Sequence, residues 1–331
     1  MRAWLMDDFA GLQSLRMGEI PEPMAGAGEV VLEVDYAGLN PADRYLAEGQ
    51  YPARPPLPHV LGRDGVGRVV SVGAGVEGIE VGRPMALLRG EVGVSRRGTF
   101  AERVAAPVES VVEIPAGWSP QQAAAAPLVY LTAYQALTQW GDLPPSVMLV
   151  TGASGGVGVA SIHLGRALGH TVVALSRGTE KVTRLRELGA DHVFDPQSPD
   201  WTKAMRTALA PRRVDLAIDN IGGALLPQVI ETLGEWGKVS LVGRLAGPVP
   251  EFNTASLFFR RIRMGGVAVG GFTATESRAA WQEILALLNR ISARPVIDSV
   301  WRLEQLPEAF ARLAAGPMGK VLVKVGESPG E

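Results

Sequence analysis

Residues 147–177 read VMLVTGASGGVGVASIHLGRALGHTVVALSR, and this stretch decides the fold. The four apolar residues Val147–Val150 predict a short buried strand, and the small residues after them allow a tight turn. Apolar residues then recur at helical spacing as far as Gly169, and Thr171–Leu175 is a second apolar run. The stretch therefore predicts a strand–helix–strand unit of a doubly wound parallel α/β sheet.

The turn of this unit carries a variant of the glycine-rich dinucleotide fingerprint. It reads Ala153-x-Gly155-x-x-Gly158, so alanine replaces the first glycine. The N-terminus of the following helix presents unpaired N–H groups and a partial positive charge, which suit a diphosphate. The alternative is a tight strand–helix turn without a ligand. We predict a dinucleotide site at this turn, formed by Ala153, Ser154, Gly155, Gly156 and Val157.

The end of the second strand indicates which dinucleotide binds. NAD sites usually place Asp or Glu there to accept hydrogen bonds from the ribose 2′-hydroxyl. Here residues 176–181 read SRGTEK, and their only acid, Glu180, is four residues beyond Ser176. Arg177 and Lys181 can instead flank a 2′-phosphate in charge-assisted hydrogen bonds, with two solvated cations as the alternative. The segment favours NADPH, with Ser176, Arg177 and Lys181 as its candidate cofactor-binding residues.

Length and composition restrict the function classes. The chain has 331 residues, enough for two domains, and 32 basic residues nearly balance 34 acidic ones. This balance gives no indication of a nucleic acid or membrane partner. Cysteine is absent, which excludes disulfides and thiolate metal sites. No apolar run suits a transmembrane helix, and two aspartates interrupt the start MRAWLMDDFAG, so we expect a cytoplasmic protein.

The character of the chain changes near residue 120. The earlier part is β-rich and predicts a small antiparallel barrel or sandwich, with strands at 30–36, 62–75 and 98–104. The later part alternates helices and strands. The predicted helices are 121–137 with a break at Pro127, 180–188, 276–290 and 306–315. The further predicted strands are 192–195, 215–220, 238–243, 296–300 and 321–325, and the last helix and strand are able to return to the first domain.

Several motifs then point to one family. In order they are GLNPAD at 38–43, GRDGVG at 62–67, LTAYQAL at 131–137, VTGASGGVG at 150–158, LGADHV at 188–193 and GKVLV at 319–323. Together they resemble the medium-chain dehydrogenase/reductase superfamily, and within it the zinc-free quinone oxidoreductase branch. The resemblance covers essentially the whole chain.

The resemblance implies a GroES-like catalytic domain, formed by residues 1–118 and 292–331, and a Rossmann domain at 119–291. It also implies a cofactor in the cleft between the two domains. Family dimers commonly pair the edge strands of two Rossmann sheets, and residues 262–269 are the candidate edge strand here. We therefore expect a homodimer.

Two departures from the zinc enzymes of this superfamily concern the metal. Those enzymes carry a cysteine where this chain has Asn40 and a histidine where it has Arg63. A catalytic zinc needs about three Cys, His or carboxylate ligands, and His59 alone does not rebuild the site. We therefore predict no metal. Without zinc as a Lewis acid, quinones and α,β-unsaturated carbonyls are the acceptors that fit, because their conjugation spreads the negative charge.

The same resemblance supplies candidate residues on the acceptor side. Asn40, Tyr45 and Tyr51 match an asparagine and two tyrosines of the quinone oxidoreductase pocket, with local packing as the alternative for each tyrosine. Asp43 suits fixing the loop better than moving a proton. Arg63 has three open roles, namely pairing with Asp64, contacting substrate or being solvated, and we do not rank it as catalytic.

Further cofactor candidates lie in the second domain. Thr132 matches a nicotinamide-contacting threonine of the family, or it bonds its own helix backbone. Asn220 and Gly243 end predicted strands, where ribose groups should pass. Asp195 stands where relatives often carry a tyrosine near the adenosine phosphate, and an acid there would repel a 2′-phosphate.

These observations lead to one hypothesis with two rivals. We expect an NADPH-dependent, zinc-independent oxidoreductase that transfers hydride to a quinone or related conjugated carbonyl. An enoyl or alkenal double-bond reductase on the same scaffold is the nearest rival. A non-catalytic NADPH-binding protein, acting as a redox sensor or a crystallin-like structural protein, is the rival from another class.

Overall fold

A computed structural model describes residues 1–88, 91–249 and 251–326. The chain divides into two compact units, one of Met1–Leu128, Phe272–Ala279 and Arg294–Glu331, the other of Val129–Gly271 and Ala280–Ala293. The strands are β1 (Arg2–Leu5), β2 (Arg16–Glu19), β3 (Glu29–Gly38), β4 (Asp64–Val72), β5 (Pro84–Leu87), β6 (Arg103–Pro107), β7 (Val111–Glu113), β8 (Val147–Val150), β9 (Thr171–Leu175), β10 (His192–Phe194), β11 (Val214–Asp219), β12 (Leu233–Leu241), β13 (Arg263–Gly266), β14 (Ile297–Arg302) and β15 (Lys320–Lys324).

The α-helices lie mainly in the later part of the chain. They are α1 (Pro41–Ala47), α2 (Pro120–Ala125), α3 (Pro127–Thr138), α4 (Gly156–Ala167), α5 (Val182–Leu188), α6 (Trp201–Leu209), α7 (Leu225–Thr232), α8 (Ala255–Phe259), α9 (Ala274–Arg290) and α10 (Leu306–Ala314). No helix in the described ranges is long and apolar enough to cross a membrane.

The first unit is built on a seven-stranded sheet in the order β14-β15-β3-β4-β5-β7, and β6 pairs with β3 beside this path. All of its pairings are antiparallel except the parallel pair of β14 and β15. Strand β15 joins β3 through Leu322 opposite Gly38, so the C-terminal strands return to the N-terminal sheet. One apolar cluster forms the core, with Leu32, Phe100 and Phe310 among its members.

The second unit is a six-stranded parallel sheet in the order β10-β9-β8-β11-β12-β13. The helices α4, α5, α6, α7 and α8 connect successive strands, as in a doubly wound fold. The predicted α/β architecture is confirmed: Val147–Val150 and Thr171–Leu175 are strands with the predicted bounds, and α4 lies between them. The predicted edge strand is β13, which ends the sheet next to β12.

Several element bounds differ by a few residues from the sequence-based expectations, and two differences are larger. The predicted strand 98–104 begins only at Arg103, because the backbone N–H groups of Gly98, Thr99 and Phe100 donate to carbonyls of the loop at 60–62 instead of a neighbouring strand. The units also divide at other residues than the predicted domains do, since α2 packs against β3 and β4 of the first unit. The domain assignment itself stays a prediction.

Candidate functional site

The loop between β8 and α4 is shaped by close backbone contacts. Gly152 has φ +56°, a left-handed conformation that favours glycine. A Cβ on Gly158 would lie 2.4 Å from the Gly152 carbonyl oxygen, so only glycine lets the helix pack this tightly on the loop. A Cβ on Gly155 would meet nothing closer than 3.5 Å, which leaves that side of the helix N-terminus open. The loop therefore packs tightly against α4 and leaves the N-terminus of the helix open on the Gly155 side, while diphosphate binding there stays a prediction.

Side chains at the ends of β8 and β11 hold this edge of the sheet. Thr151 Oγ1 donates to Asp219 Oδ1 at 2.7 Å and accepts from the Asn220 N–H at 2.9 Å. The Asn220 amide nitrogen donates to the Thr151 carbonyl at 2.8 Å. Its oxygen, Oδ1, is buried and has no hydrogen-bond partner among the described residues. An unpaired acceptor is able to accept a hydrogen bond from a ligand hydroxyl. The contact of Asn220 with a ribose stays a prediction.

The segment after β9 brings cationic and small residues together. Ser176 is buried and Arg177 is exposed. Lys181 reaches back across the loop, and its Nζ lies 3.4 Å from Ser154 Oγ. Ser154, in the loop before α4, and Lys181 thus lie side by side, as a site spanning both loops requires.

Two acids lie against the same segment. Asp195 Oδ2 accepts from the Gly178 N–H at 3.4 Å, and Oδ1 accepts from the Gln197 N–H at 2.8 Å. The Glu180 carboxylate covers Gly178, since a Cβ there would lie 2.3 Å from Glu180 Oε1. The charges of Arg177 and Lys181 are therefore partly offset, which limits the attraction to a 2′-phosphate.

The remaining cofactor candidates of the second unit occupy different environments. Thr132 is half-buried on α3, and Val157 is half-buried in the first turn of α4. Gly243 follows β12, where a Cβ would lie 2.6 Å from the Asn220 carbonyl oxygen, so packing alone requires glycine there. Their contacts with a cofactor stay predictions.

A buried histidine in this unit has a structural role. The Tyr130 hydroxyl and His163 Nδ1 are 2.8 Å apart, and both side chains are buried. Burial lowers the pKa of His163 to about 4, so the ring is neutral at pH 7 and shares a hydrogen bond with the Tyr130 hydroxyl. Burial also raises the pKa of Tyr130.

In the first unit, Asn40 caps α1. Pro41 follows it as the first helical residue, and the Asn40 N–H donates to Asp43 Oδ2 at 2.8 Å, which completes a capping box. Asp43 is fully buried. Burial raises the pKa of Asp43 to about 6, against the opposing effects of Arg63 and the Asn40 N–H. The expectation that Asp43 fixes this loop agrees with that hydrogen bond.

A buried ion pair joins β4 to the last strand, β15. Lys320 Nζ lies 2.7 Å from Asp64 Oδ2, and their side chains are 4% and 1% exposed. Asn40 completes the cluster: its Nδ2 donates to Asp64 at 2.9 Å, and its Oδ1 accepts from Lys320. Both ends of the Asn40 amide are therefore used inside the protein. This arrangement makes Asn40 a positioning residue rather than a free donor.

Arg63 is not solvated and does not pair with Asp64. Its side chain is 9% exposed. Its Nη1 donates to the Tyr51 hydroxyl at 3.0 Å, and Cζ lies 4.3 Å from the centroid of the Tyr51 ring. Its Nε lies 3.7 Å from Asp43 Oδ1, close enough for attraction but too far for a hydrogen bond. The sequence left this residue unranked, and the structure places it between Tyr51 and Asp43.

The three acceptor-side candidates all lie on or next to α1. Asn40 precedes the helix, Tyr45 is half-buried on it, and Tyr51 follows it. The guanidinium of Arg44 lies 5.4 Å from the Tyr45 ring. The predicted grouping therefore exists in the first unit, while contacts with a substrate stay predictions.

The residues at this cluster do not fit a catalytic zinc. Asn40 is already bound to Lys320 and Asp64, and Arg63 brings a positive charge that would repel a metal cation. His59 is buried, and burial lowers its pKa to about 4. Within the described ranges, no three His, Cys, Asp or Glu side chains are grouped to hold a metal ion.

Comparisons with known families match both parts of the chain. Residues 26–116 match the family described as alcohol dehydrogenase GroES-like domain, and residues 156–290 match the family described as zinc-binding dehydrogenase.

Three curated relatives with different names align with nearly the whole chain. The synaptic vesicle membrane protein VAT-1 homolog of Rattus norvegicus is 30% identical, over 98% of this chain and 84% of its own. A quinone oxidoreductase of Lama guanicoe is 29% identical, over 98% of this chain and 97% of its own. An acryloyl-coenzyme A reductase of Sulfurisphaera tokodaii is 28% identical, over 94% of this chain and 97% of its own.

Solved structures agree in fold along nearly the whole chain. One described as an NAD-dependent alcohol dehydrogenase has a TM-score of 0.90 at 30% identity and covers 98% of this chain and 100% of its own. A mycobacterial protein complexed with NADPH has a TM-score of 0.88 at 26% identity, with coverage of 98% and 100%.

Proposed function

Because the chain belongs to the medium-chain dehydrogenase/reductase family, we propose that it is an NADPH-dependent, zinc-independent oxidoreductase. It transfers hydride to a quinone or a related conjugated carbonyl. Two observations carry the proposal. The second unit has a glycine-rich loop at the N-terminus of α4. In the first unit, Asn40 and Arg63 stand in place of metal ligands, Asn40 bound to Asp64 and Lys320, and Arg63 held by Tyr51.

On the cofactor side, the proposal assigns the diphosphate to the N-terminus of α4. Gly156 and Val157, in the first turn, offer backbone N–H groups there, whereas the Gly155 N–H already donates to the Gly152 carbonyl at 3.0 Å. The open side of Gly155 leaves room for the ligand. Asn220 Oδ1 accepts from a ribose hydroxyl, which would satisfy its unpaired oxygen. When bound, the reduced nicotinamide supplies the hydride.

The preference for NADPH rests on the segment after β9. Arg177 is exposed at that position, and Lys181 Nζ lies near Ser154 Oγ. Charge-assisted hydrogen bonds from these cations to a 2′-phosphate contribute roughly 1.5–3 kcal/mol each. The nearby carboxylates of Glu180 and Asp195 reduce the sum. The proposal therefore predicts a preference for NADPH that is clear but not absolute.

On the acceptor side, the residues bind and orient a planar substrate. Tyr51 offers an aromatic face, and its hydroxyl is fixed by Arg63. Tyr45 offers a second ring on α1. Asn40 holds the start of α1 through Lys320 and Asp64. Conjugated acceptors suit such a site, because hydrogen-bond donors suffice once the negative charge is spread over the substrate.

A second candidate function is reduction of an enoyl or alkenal double bond. The similarity to the acryloyl-coenzyme A reductase favours it. Reduction of such a substrate places negative charge on an enolate oxygen. The same hydrogen-bond donors are able to stabilise that charge without zinc. A non-catalytic NADPH-binding protein differs from both, because it would bind cofactor without oxidising it in the presence of any acceptor.

We also propose a cytoplasmic homodimer. Strand β13 (Arg263–Gly266) ends the parallel sheet next to β12. An edge strand of this kind offers unpaired backbone groups to a second copy. Sedimentation equilibrium tests the dimer directly.

The test of the proposed function is an acceptor panel. Purified protein is dialysed against a chelator, analysed for zinc and assayed with NADPH and 1,4-benzoquinone, 9,10-phenanthrenequinone, a 2-alkenal or an enoyl thioester. The proposal expects turnover of quinones without zinc. Faster turnover of the alkenal or thioester supports the second candidate. Turnover that requires stoichiometric zinc contradicts the proposal, and tight NADPH binding without any turnover supports the non-catalytic protein.

A further inference from the structure

Arg63 has more buried hydrogen-bond donors than the protein uses. Its Nη1 donates to the Tyr51 hydroxyl at 3.0 Å. Its Nε and Nη2 are buried and make no hydrogen bond to any residue in the described ranges. Leaving donors of a charged group buried and unpaired is costly, so such groups nearly always have a partner.

Other arginines of this chain use the same edge fully. Arg312 donates from Nε and Nη2 to both oxygens of Asp298, at 2.8 and 2.6 Å. Arg16 makes the same paired contact with Asp7 through Nε and Nη2. The edge formed by Nε and Nη2 is therefore the one with which a guanidinium grips an oxygen-bearing group. In Arg63, Nε and Nη2 have no such partner among the described residues.

Asp43 does not fill that position. Its Oδ1 is 3.7 Å from Arg63 Nε and itself makes no hydrogen bond to a described residue. Its other oxygen, Oδ2, is held by the Asn40 N–H at 2.8 Å as part of the helix cap. Asp43 therefore balances the charge of Arg63 but leaves its donors unused. Burial raises the pKa of Asp43 to about 6, so this balance is partly lost below that pH.

We propose that the Nε–Nη2 edge of Arg63 binds the carbonyl oxygen of the hydride acceptor and stabilises the negative charge that develops on it. The inference rests on the proposed function and adds a residue that contacts the substrate. Hydride forms a new C–H bond to the conjugated system, and the displaced π-electron pair moves to the oxygen held by Arg63. A proton from the solvent then completes the reduction. The cofactor loses the two electrons that the acceptor gains.

Tyr51 becomes a positioning residue for this guanidinium. Its ring lies against one face, with Cζ 4.3 Å from the ring centroid, and its hydroxyl accepts from Nη1. These two contacts fix the plane of the guanidinium, so its remaining edge is oriented before a substrate arrives. A fixed positive charge in a buried site stabilises a developing oxyanion without reorganisation, which is the role that a Lewis acid metal plays elsewhere.

The test compares variants across a series of ring-substituted 1,4-benzoquinones that differ in electron affinity. Arg63→Gln should lower kcat/KM about 100-fold and leave the Kd for NADPH unchanged. The loss should be greatest for electron-rich quinones, because without Arg63 the acceptor must stabilise the charge itself. Arg63→Lys, which keeps the charge but not the paired edge, should recover only part of the activity. Added methylguanidinium at low millimolar concentration should raise the activity of Arg63→Ala.

The control is Arg54→Gln. Arg54 is exposed in the loop after α1, with Cζ 4.8 Å from the Phe9 ring, so its loss should leave kinetics unchanged. Arg63→Gln with kcat/KM within threefold of wild type overturns the inference. A uniform loss across the quinone series, with no rescue by methylguanidinium, also overturns it and makes Arg63 structural. Wild-type protein that reduces no acceptor refutes the proposed function, and this inference with it.

Discussion

Removing Lys320 should leave Asp64 as an uncompensated charge inside the first unit. The two groups are 2.7 Å apart, and their side chains are 4% and 1% exposed, so water cannot replace the lost ammonium group. Breaking a buried pair by deleting one partner typically costs about 3–5 kcal/mol. Asp64 would keep hydrogen bonds from Asn40 Nδ2 and the Leu128 N–H, which places Lys320→Met near the lower end of that range.

The assay is urea unfolding of Lys320→Met, Asp64→Asn and the double variant. Neutralising Asp64 removes the unpaired charge, so the double variant should recover about 2 kcal/mol relative to the sum of the single variants. Lys324→Met is the matched control, since Lys324 is half-buried on the same strand, and it should change stability by no more than about 0.5 kcal/mol.

Two results would refute this reasoning. If Lys320→Met unfolds within 1 kcal/mol of wild type, the ion pair does not stabilise the unit. If the single changes are additive in the double variant, Lys320 and Asp64 do not interact in solution.

Three other variants test separate parts of the structure. Gly158→Ala would place its Cβ 2.4 Å from the Gly152 carbonyl oxygen, so we expect a loss of at least about 1 kcal/mol in thermal unfolding and weaker cofactor binding; unchanged values would contradict the packing. His163 has a pKa of about 4 instead of 6.5, so the native state resists protonation and stability falls as the pH drops from 6.5 towards 4, by about 3 kcal/mol. His163→Gln should remove that share of the pH dependence in urea unfolding, whereas an unchanged slope would assign it elsewhere. Arg177→Glu should weaken NADPH more than NADH, by roughly 2–4 kcal/mol in fluorescence titrations, and an equal effect on both would remove Arg177 from the site.

The second unit was predictable because its signals are local. Val147–Val150 and Thr171–Leu175 are short apolar runs that lie between turn-forming residues, and the structure keeps both bounds. The helix between them ends before Gly169, which has φ +81°, as its position after the apolar face indicates. In each case the sequence of one segment contains the physical reason for its conformation.

The cluster of the first unit was less accessible, because its partners are distant in sequence. Lys320 and Asp64 are 256 residues apart, and neither motif that contains them reveals the pairing. The role of Asn40 had a local signal that was not used, namely Asn before Pro41 with Asp43 three residues later, which is a helix N-cap pattern. Arg63 could not be ranked, because only the fold shows that it is buried against Tyr51.

The most direct test of the account is titration of the purified protein with NADPH and with NADH, followed by nicotinamide fluorescence. The account predicts saturable binding of both and a Kd for NADPH at least about tenfold lower, equivalent to about 1.4 kcal/mol. Equal affinities, or tighter binding of NADH, would contradict it and would mean that Glu180 or Asp195 governs the segment after β9.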